Sequence, residues 1–256
     1  MIILDTNEYK NVKINLNGTR CPTFVYSILD GYIPGKVYAD SHLYQTVLFE
    51  TTIGIYYIVG ATENVEFNDF LFNLYRRRKE EGLRFTLFSS SEIWDSVIMG
   101  EFEKEISHLV RFSFNYDANK EVANVIKLPI NYSLKKINST VIENSQEFDK
   151  NYYVAYWGSI GNYEEKGFGF AILHDAKVIS ECTSIFASEQ FAEIDIATHN
   201  DYRGQGLAKI IAKIFINHSL KNNIIPRWDC DISNTTSIKL AKKLGFTNPI
   251  KYSIFT

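Results

Sequence analysis

The chain is 256 residues long, 45% hydrophobic and 22% charged, a balance that argues against disordered, fibrous and membrane-spanning classes and suits two small domains or one large one. Its 27 basic and 30 acidic side chains leave a net charge of -3, too weak a field to draw nucleic acid or an anionic membrane, so neither is expected as a partner.

Met1 to Leu4 is apolar but short, with no basic residue before it and Asp5 after it; no signal peptide is expected and the chain reads as cytoplasmic. Residues 53–60 (Ile-Gly-Ile-Tyr-Tyr-Ile-Val-Gly) form a β-branched and aromatic run typical of a buried strand. Phe67, Phe70, Leu71 and Leu74 then recur at helical spacing, ahead of a polar run and a stop at Gly82. Within that run Arg76-Arg77-Arg78-Lys79 reads as a solvated helix face rather than a phosphate site. Phe85 to Phe88 predicts a strand, and Ser89 to Ser91 cap a second helix whose apolar side holds Trp94, Val97, Ile98, Phe102 and Leu109. Arg111 to Tyr116 alternates as a strand does. Around 117–131 the apolar density drops at Asp117, Asn119, Lys120, Pro129 and Asn131, which predicts a boundary between an N-terminal domain, 1–130, and a C-terminal domain, 131–256. No internal repeat is apparent.

The second half reads as strand, strand, strand, helix, strand, helix, strand. Gly167–Leu173 and Lys177–Phe186 flank a hairpin turn at His174-Asp175-Ala176, and Phe191–Thr198 is the third strand. Directly after it, Arg203-Gly204-Gln205-Gly206-Leu207-Ala208 leads into a helix with Leu207, Ile210, Ile211, Ile214 and Phe215 on one face. A helix N-terminus presents unpaired N–H groups and a positive dipole end, and glycines at the turn let a pyrophosphate come close to the backbone. Arg203 adds a cation. The segment lacks the third glycine of the dinucleotide fingerprint and the lysine of the phosphate loop, so neither nucleotide motif fits. Taken alone, the turn reads equally well as a tight connection without a ligand. Cys21, Cys182 and Cys230 lie far apart and the five histidines are scattered, so neither a disulfide framework nor a metal is expected.

Arg203-x-x-Gly206-x-Ala208 resembles the [QR]-x-x-G-x-[GA] signature of the GCN5-related N-acetyltransferases, and Asn234 to Phe246, ending in Leu244-Gly245-Phe246, resembles that family's second motif. The stretch from Glu193 to Ala208, with Pro226, Trp228, Asp229, Asn234 and Ser237, is similar to the branch containing zwittermicin-resistance-like acetyltransferases; the likeness extends more loosely over the first half. The resemblance implies an α/β (α+β) protein. Its C-terminal domain has a mixed central sheet splayed between strands four and five, and a smaller α/β N-terminal domain precedes it.

It also implies acetyl-CoA as co-substrate, with pantetheine along Ile196, Ala197 and Thr198 and pyrophosphate at Arg203, Gly204, Gln205, Gly206, Leu207 and Ala208. Asn234 corresponds to a pantetheine contact, with Ser237 beside it; Asn234 equally reads as an N-cap, and the two roles are compatible. A protonated alkylamine, with a pKa of about 10, must lose a proton before it attacks. Glu193 and Asp195 share one face of a strand by alternation and are the candidate bases, each equally readable as a surface carboxylate or an ion-pair member. Where many relatives carry a tyrosine acid for the leaving thiolate, this chain has Ala241. The implied activity is acetyl transfer to a primary amine of a small molecule or peptide, in a monomer or homodimer. The reading from another class is a non-catalytic acetyl-CoA-binding sensor. Tyr156, Trp157, Tyr163, Glu164 and Glu165, read as loop residues, are offered as an aromatic and acidic wall for a cationic acceptor, and read equally well as a solvated loop.

Overall fold

The computed structural model describes residues 1–16, 18–102, 105–120 and 128–256. It divides into two compact units, Met1–Phe112 with Lys251–Thr256, and Ser113–Ile250. The boundary predicted at 130/131 therefore differs from the observed one. The polar stretch around 117–131 lies inside the second unit, and its residues 121–127 fall outside the described residues.

The first unit runs β1 (Ile2–Ile3), α1 (Tyr9–Asn15), α2 (Thr23–Leu29), β2 (Gly35–Ala39), β3 (Thr46–Thr51), β4 (Ile55–Gly60), α3 (Val65–Glu80), β5 (Thr86–Ser89), α4 (Glu92–Phe102) and the start of β6 (His108–Tyr116). The second contains the end of β6, then β7 (Tyr132–Lys136), α5 (Ser139–Glu143), α6 (Lys150–Trp157), α7 (Ile160–Lys166), β8 (Gly169–His174) and β9 (Lys177–Ala187). It continues with β10 (Phe191–Thr198), α8 (Leu207–Lys221), β11 (Ile225–Asp231), α9 (Thr235–Lys243) and the start of β12 (Phe246–Phe255). No described helix is long and apolar enough to cross a membrane.

The two units repeat one topology. In the first, β1, β2, β3 and β4 pair antiparallel in order and β4 pairs parallel with β5; in the second, β7, β8, β9 and β10 do the same and β10 pairs parallel with β11. A helix links the parallel strands each time, α3 in one and α8 in the other, as a parallel connection requires. The sixth strand is exchanged. Beside β5 lies the end of β12, with Ile254 opposite Phe88 and Phe255 opposite Leu87. Beside β11 lies the end of β6, where Ser113 Oγ donates to Asp229 Oδ1 at 2.5 Å.

Local pattern explains most elements. The α3 stripe holds, with Phe67, Leu71 and Leu74 buried beside Trp94, Ile98 and Phe102 of α4. Asn64 caps α3 by accepting from Phe67 N at 3.0 Å. Leu109, expected on the second helix, instead lies in β6 and is exposed, because α4 ends at Phe102. The hairpin turn between β8 and β9 holds two residues, Asp175 (φ 48°) and Ala176 (φ 66°), with the positive φ values that match the twist of paired strands.

Candidate active site in the second unit

β10 and β11 pair only over Phe191–Ile225, Ala192–Pro226 and Glu193–Arg227, yet β10 runs on to Thr198 and β11 to Asp231. Beyond Glu193 the two strands have separated, opening a V along Asp195 to Thr198. In the first unit the matching parallel strands stay paired over all four residues of β5, from Ile55–Thr86 to Ile58–Ser89.

The turn past the open end of β10 is equally distinct. Gly204 (φ +79°) and Gly206 (φ +78°) both occupy the left-handed region, and a Cβ built on either meets no atom within 4 Å. Their need for glycine is therefore conformational within the protein, and the space beside them is open. Gly206 is the N-cap of the 15-residue α8; no side chain caps that helix and no acidic residue stands in its first turn. By contrast Asn64, Asn138, Asp149, Ser159 and Asn234 each cap a helix with a side-chain oxygen. The matching turn of the first unit, Ala61 to Asn64, carries Glu63, has no arginine and is followed by Glu66 in the first turn of α3, a charge pattern that repels a phosphate. Arg203, exposed, donates from Nε to Thr198 O at 3.2 Å, which ties the turn to the end of β10. Leu207 is buried and anchors α8, while Ala208 is half-buried. An anionic pyrophosphate fits this exposed, uncapped helix end with its cationic side chain.

Asn234 is exposed and its side chain accepts from Ser237 N at 3.0 Å, so it caps α9. Ser237 Oγ in turn accepts from Trp228 Nε1 at 2.9 Å, and Trp228 and Phe246 are core aromatics with ring centroids 5.4 Å apart. Ala241 is fully buried on α9, so no tyrosine acid fits there without displacing the core. Asn234→Ala is expected to cost about 1 kcal/mol as a lost cap. Asn234→Ser restores the cap; if affinity for acetyl-CoA falls in both variants while only the first melts early, the amide also touches the coenzyme.

On β10, Ala192 and Ile194 are buried while Glu193 and Asp195 are half-buried on the opposite face, as alternation predicts. The pairing with β9 shifts by one residue between Glu193 and Ile194, a bulge at the point where β11 departs. Asp195 Oδ2 accepts from Tyr152 Oη at 2.9 Å and Oδ1 from Ile196 N at 2.9 Å. Burial, reinforced by Asp195, holds the Tyr152 phenol well above the usual tyrosine range, so it acts as a donor to that carboxylate. Tyr152 sits among Phe148, Tyr153 and Tyr156, with centroids 4.6, 5.2 and 4.9 Å away.

The loop expected over 156–167 is instead helical. Trp157 and Tyr163 are fully buried, with Trp157 Nε1 donating to Ser184 O at 3.1 Å; they are core, and Glu164 and Glu165 are exposed on α7. The residues missed from sequence are Tyr152, Ser145 and Glu181. Glu181 had one legible signal, a carboxylate in the middle of the buried run Val178 to Phe186. Among the described residues no group of three His, Cys, Asp or Glu side chains is placed to hold a metal ion.

Parallel strands that part beside a glycine turn with no side-chain cap are the feature that sets the second unit apart from the first. The GNAT acetyltransferase family model matches residues 14–255. An N-acetyltransferase called YdfB, described as uncharacterized, from Bacillus subtilis (strain 168), is 44% identical over 253 residues, 98% of this chain and 97% of its own. A GCN5-related N-acetyltransferase-like protein from Streptococcus suis 89/1591 superposes with a TM-score of 0.74 at 23% identity, covering 98% of this chain and 99% of that one. A tandem GNAT protein from the clavulanic acid biosynthesis pathway gives 0.64 at 12% identity, covering 99% and 96%, in keeping with the repeated topology. The chain belongs to the GNAT acetyltransferase family and is an N-acetyltransferase.

Proposed function

We propose that the second unit transfers an acetyl group from acetyl-CoA to a primary amine, using residues of the opened V. The observation that carries this is the coincidence, in one unit only, of the parted strands β10 and β11 with an uncapped glycine turn at the end of β10. Backbone groups of Ile196, Ala197 and Thr198, freed from β11, are the partners for pantetheine; the N–H groups from Gly204 to Ala208, with Arg203, hold the pyrophosphate. Gln205 also meets Tyr132, whose Oη donates to its Oε1 at 3.0 Å.

The coenzyme supplies a thioester carbonyl and a thiolate leaving group. Glu193 and Asp195 take a proton from the attacking amine, with Tyr152 orienting Asp195. A thiolate with a pKa of about 8.5 leaves without an acid from α9. The cytoplasmic reading is supported by three cysteines, all buried and none in a disulfide.

The test is calorimetric titration with acetyl-CoA, then thiol release across a panel of amines. Binding with release supports the reading; no binding rejects it. The double variant Glu193→Gln, Asp195→Asn is expected to keep its affinity for acetyl-CoA and to lose rate across the pH range, and an unaltered rate would reject both as bases.

A further inference from the structure

Glu181 lies in the middle of β9 with 2% exposure. Ser145 Oγ donates to its Oε1 at 2.6 Å and itself accepts from Phe148 N at 3.0 Å. The other oxygen, Oε2, is buried and has no hydrogen-bond partner. A buried acceptor left unpaired is costly and uncommon.

The position is informative. Glu181 stands opposite Ala197 on β10 and Ala171 on β8, so neither flanking strand places more than a methyl group beside the carboxyl. Ala197 is in the stretch of β10 that has left β11. The next pair along the same face is Thr183 with Asp195, the carboxylate held by Tyr152. Burial pushes the Glu181 carboxyl up to about 7, with Glu147 adding to the rise and Ser145 and the Phe148 peptide opposing it. The titratable groups around it are Glu147, Tyr153 and, one pair along, Asp195 with Tyr152.

We infer that Glu181 Oε2 accepts the first proton of the acceptor's ammonium group, leaving to Glu193 and Asp195 only the proton lost during attack. The inference rests on the acetyl-transfer reading above. The N–H bond of the ammonium breaks, its electron pair stays on nitrogen and the proton joins Oε2. The free amine forms the N–C bond, and the C–S bond breaks with its pair on sulfur. A second proton leaves nitrogen by way of the β10 carboxylates and ends on the thiolate, while the proton on Oε2 passes to solvent. A group that ionises close to neutrality is suited to this exchange.

The experiment compares wild type, Glu181→Gln and Ser145→Ala by the pH dependence of kcat/KM in thiol release, with acetyl-CoA affinity measured alongside. Wild type is expected to lose rate on acidification with an inflection near 7. In Glu181→Gln the rate at pH 7 falls at least tenfold, coenzyme affinity stays and the inflection moves towards the amine's own pKa of about 10. Ser145→Ala removes a donor to the ionised carboxyl and so moves the wild-type inflection upward. A thermal readout is independent of turnover. The folded protein favours the neutral acid, so stability from this group is complete below 4.5 and is lost as pH rises through about 7. Glu181→Gln should therefore melt above wild type at pH 8, with the gap closing by pH 5. Thiol release whose pH profile is the same in all three proteins overturns this assignment alone; no thiol release from wild type with any amine overturns it together with the reading beneath it.

Discussion

Deleting Lys251–Thr256 is expected to abolish cooperative folding of the first unit, although the six residues lie more than 130 positions beyond the rest of it in sequence. They supply its last strand. Phe255 is fully buried in a cluster with Leu87, Trp94 and Phe102, and Tyr252 stacks on Phe88 at 5.7 Å between centroids. Ser107 and Thr256 exchange two backbone hydrogen bonds of 2.8 and 2.9 Å, and Ser253 Oγ donates to Asp95 Oδ2 at 2.5 Å. Truncating one buried Phe typically costs about 3–5 kcal/mol, against a total stability of about 5–15 kcal/mol. Removing Phe255 with its strand hydrogen bonds leaves little margin. Hydrogen exchange resolved by segment is the check: amides of β3, β4 and β5 should lose protection, and retention of native protection there would refute the strand assignment.

The same logic applies to a fragment cut at the boundary expected from sequence. Residues 131–256 alone lack Ser113 to Tyr116, so β11 loses its neighbour, Asp229 loses the Ser113 hydroxyl and Phe246 loses Tyr116. An unpaired strand edge invites aggregation, and the fragment is expected to be insoluble where the intact chain is not.

The second large effect is at the turn. Gly206→Ala should lower acetyl-CoA affinity at least tenfold, because the backbone leaves its left-handed conformation and the N–H groups that face the pyrophosphate turn away; charge-assisted hydrogen bonds are worth about 1.5–3 kcal/mol each. The stability cost is limited to the backbone term of about 1–2 kcal/mol, since a Cβ there meets nothing within 4 Å. Gly31→Ala is the matched control in the first unit: it has φ +67° and equally open space, so it should lose similar stability and no affinity. Titration calorimetry and melting curves on both variants separate strain from binding. Equal affinities would remove the turn from the site.

What the sequence by itself determined was local. The spacing of Phe67, Leu71 and Leu74 specified α3, alternation specified β10, and two glycines between a strand and an apolar helical stripe marked the start of α8, which has no side-chain cap. Each of these signals is carried by neighbours within a turn or two of chain, where backbone geometry alone dictates which side chains share a face. Trp157 and Tyr163 were misread as loop residues because α6 and α7 are only 8 and 7 residues long, too short for a periodic stripe to declare itself. The tertiary structure decided the rest. Which strand stands beside β5 or β11 depends on edge hydrogen bonds between segments far apart in the chain, so neither the repeated topology nor the exchange of β6 and β12 has a local signature. Glu181, Ser145, Asp195 and Tyr152 come from three separate elements and the segment between α5 and α6. Only the register of β8, β9 and β10 sets an unpaired carboxyl oxygen between two alanines, where burial rather than residue type moves its ionisation towards neutrality.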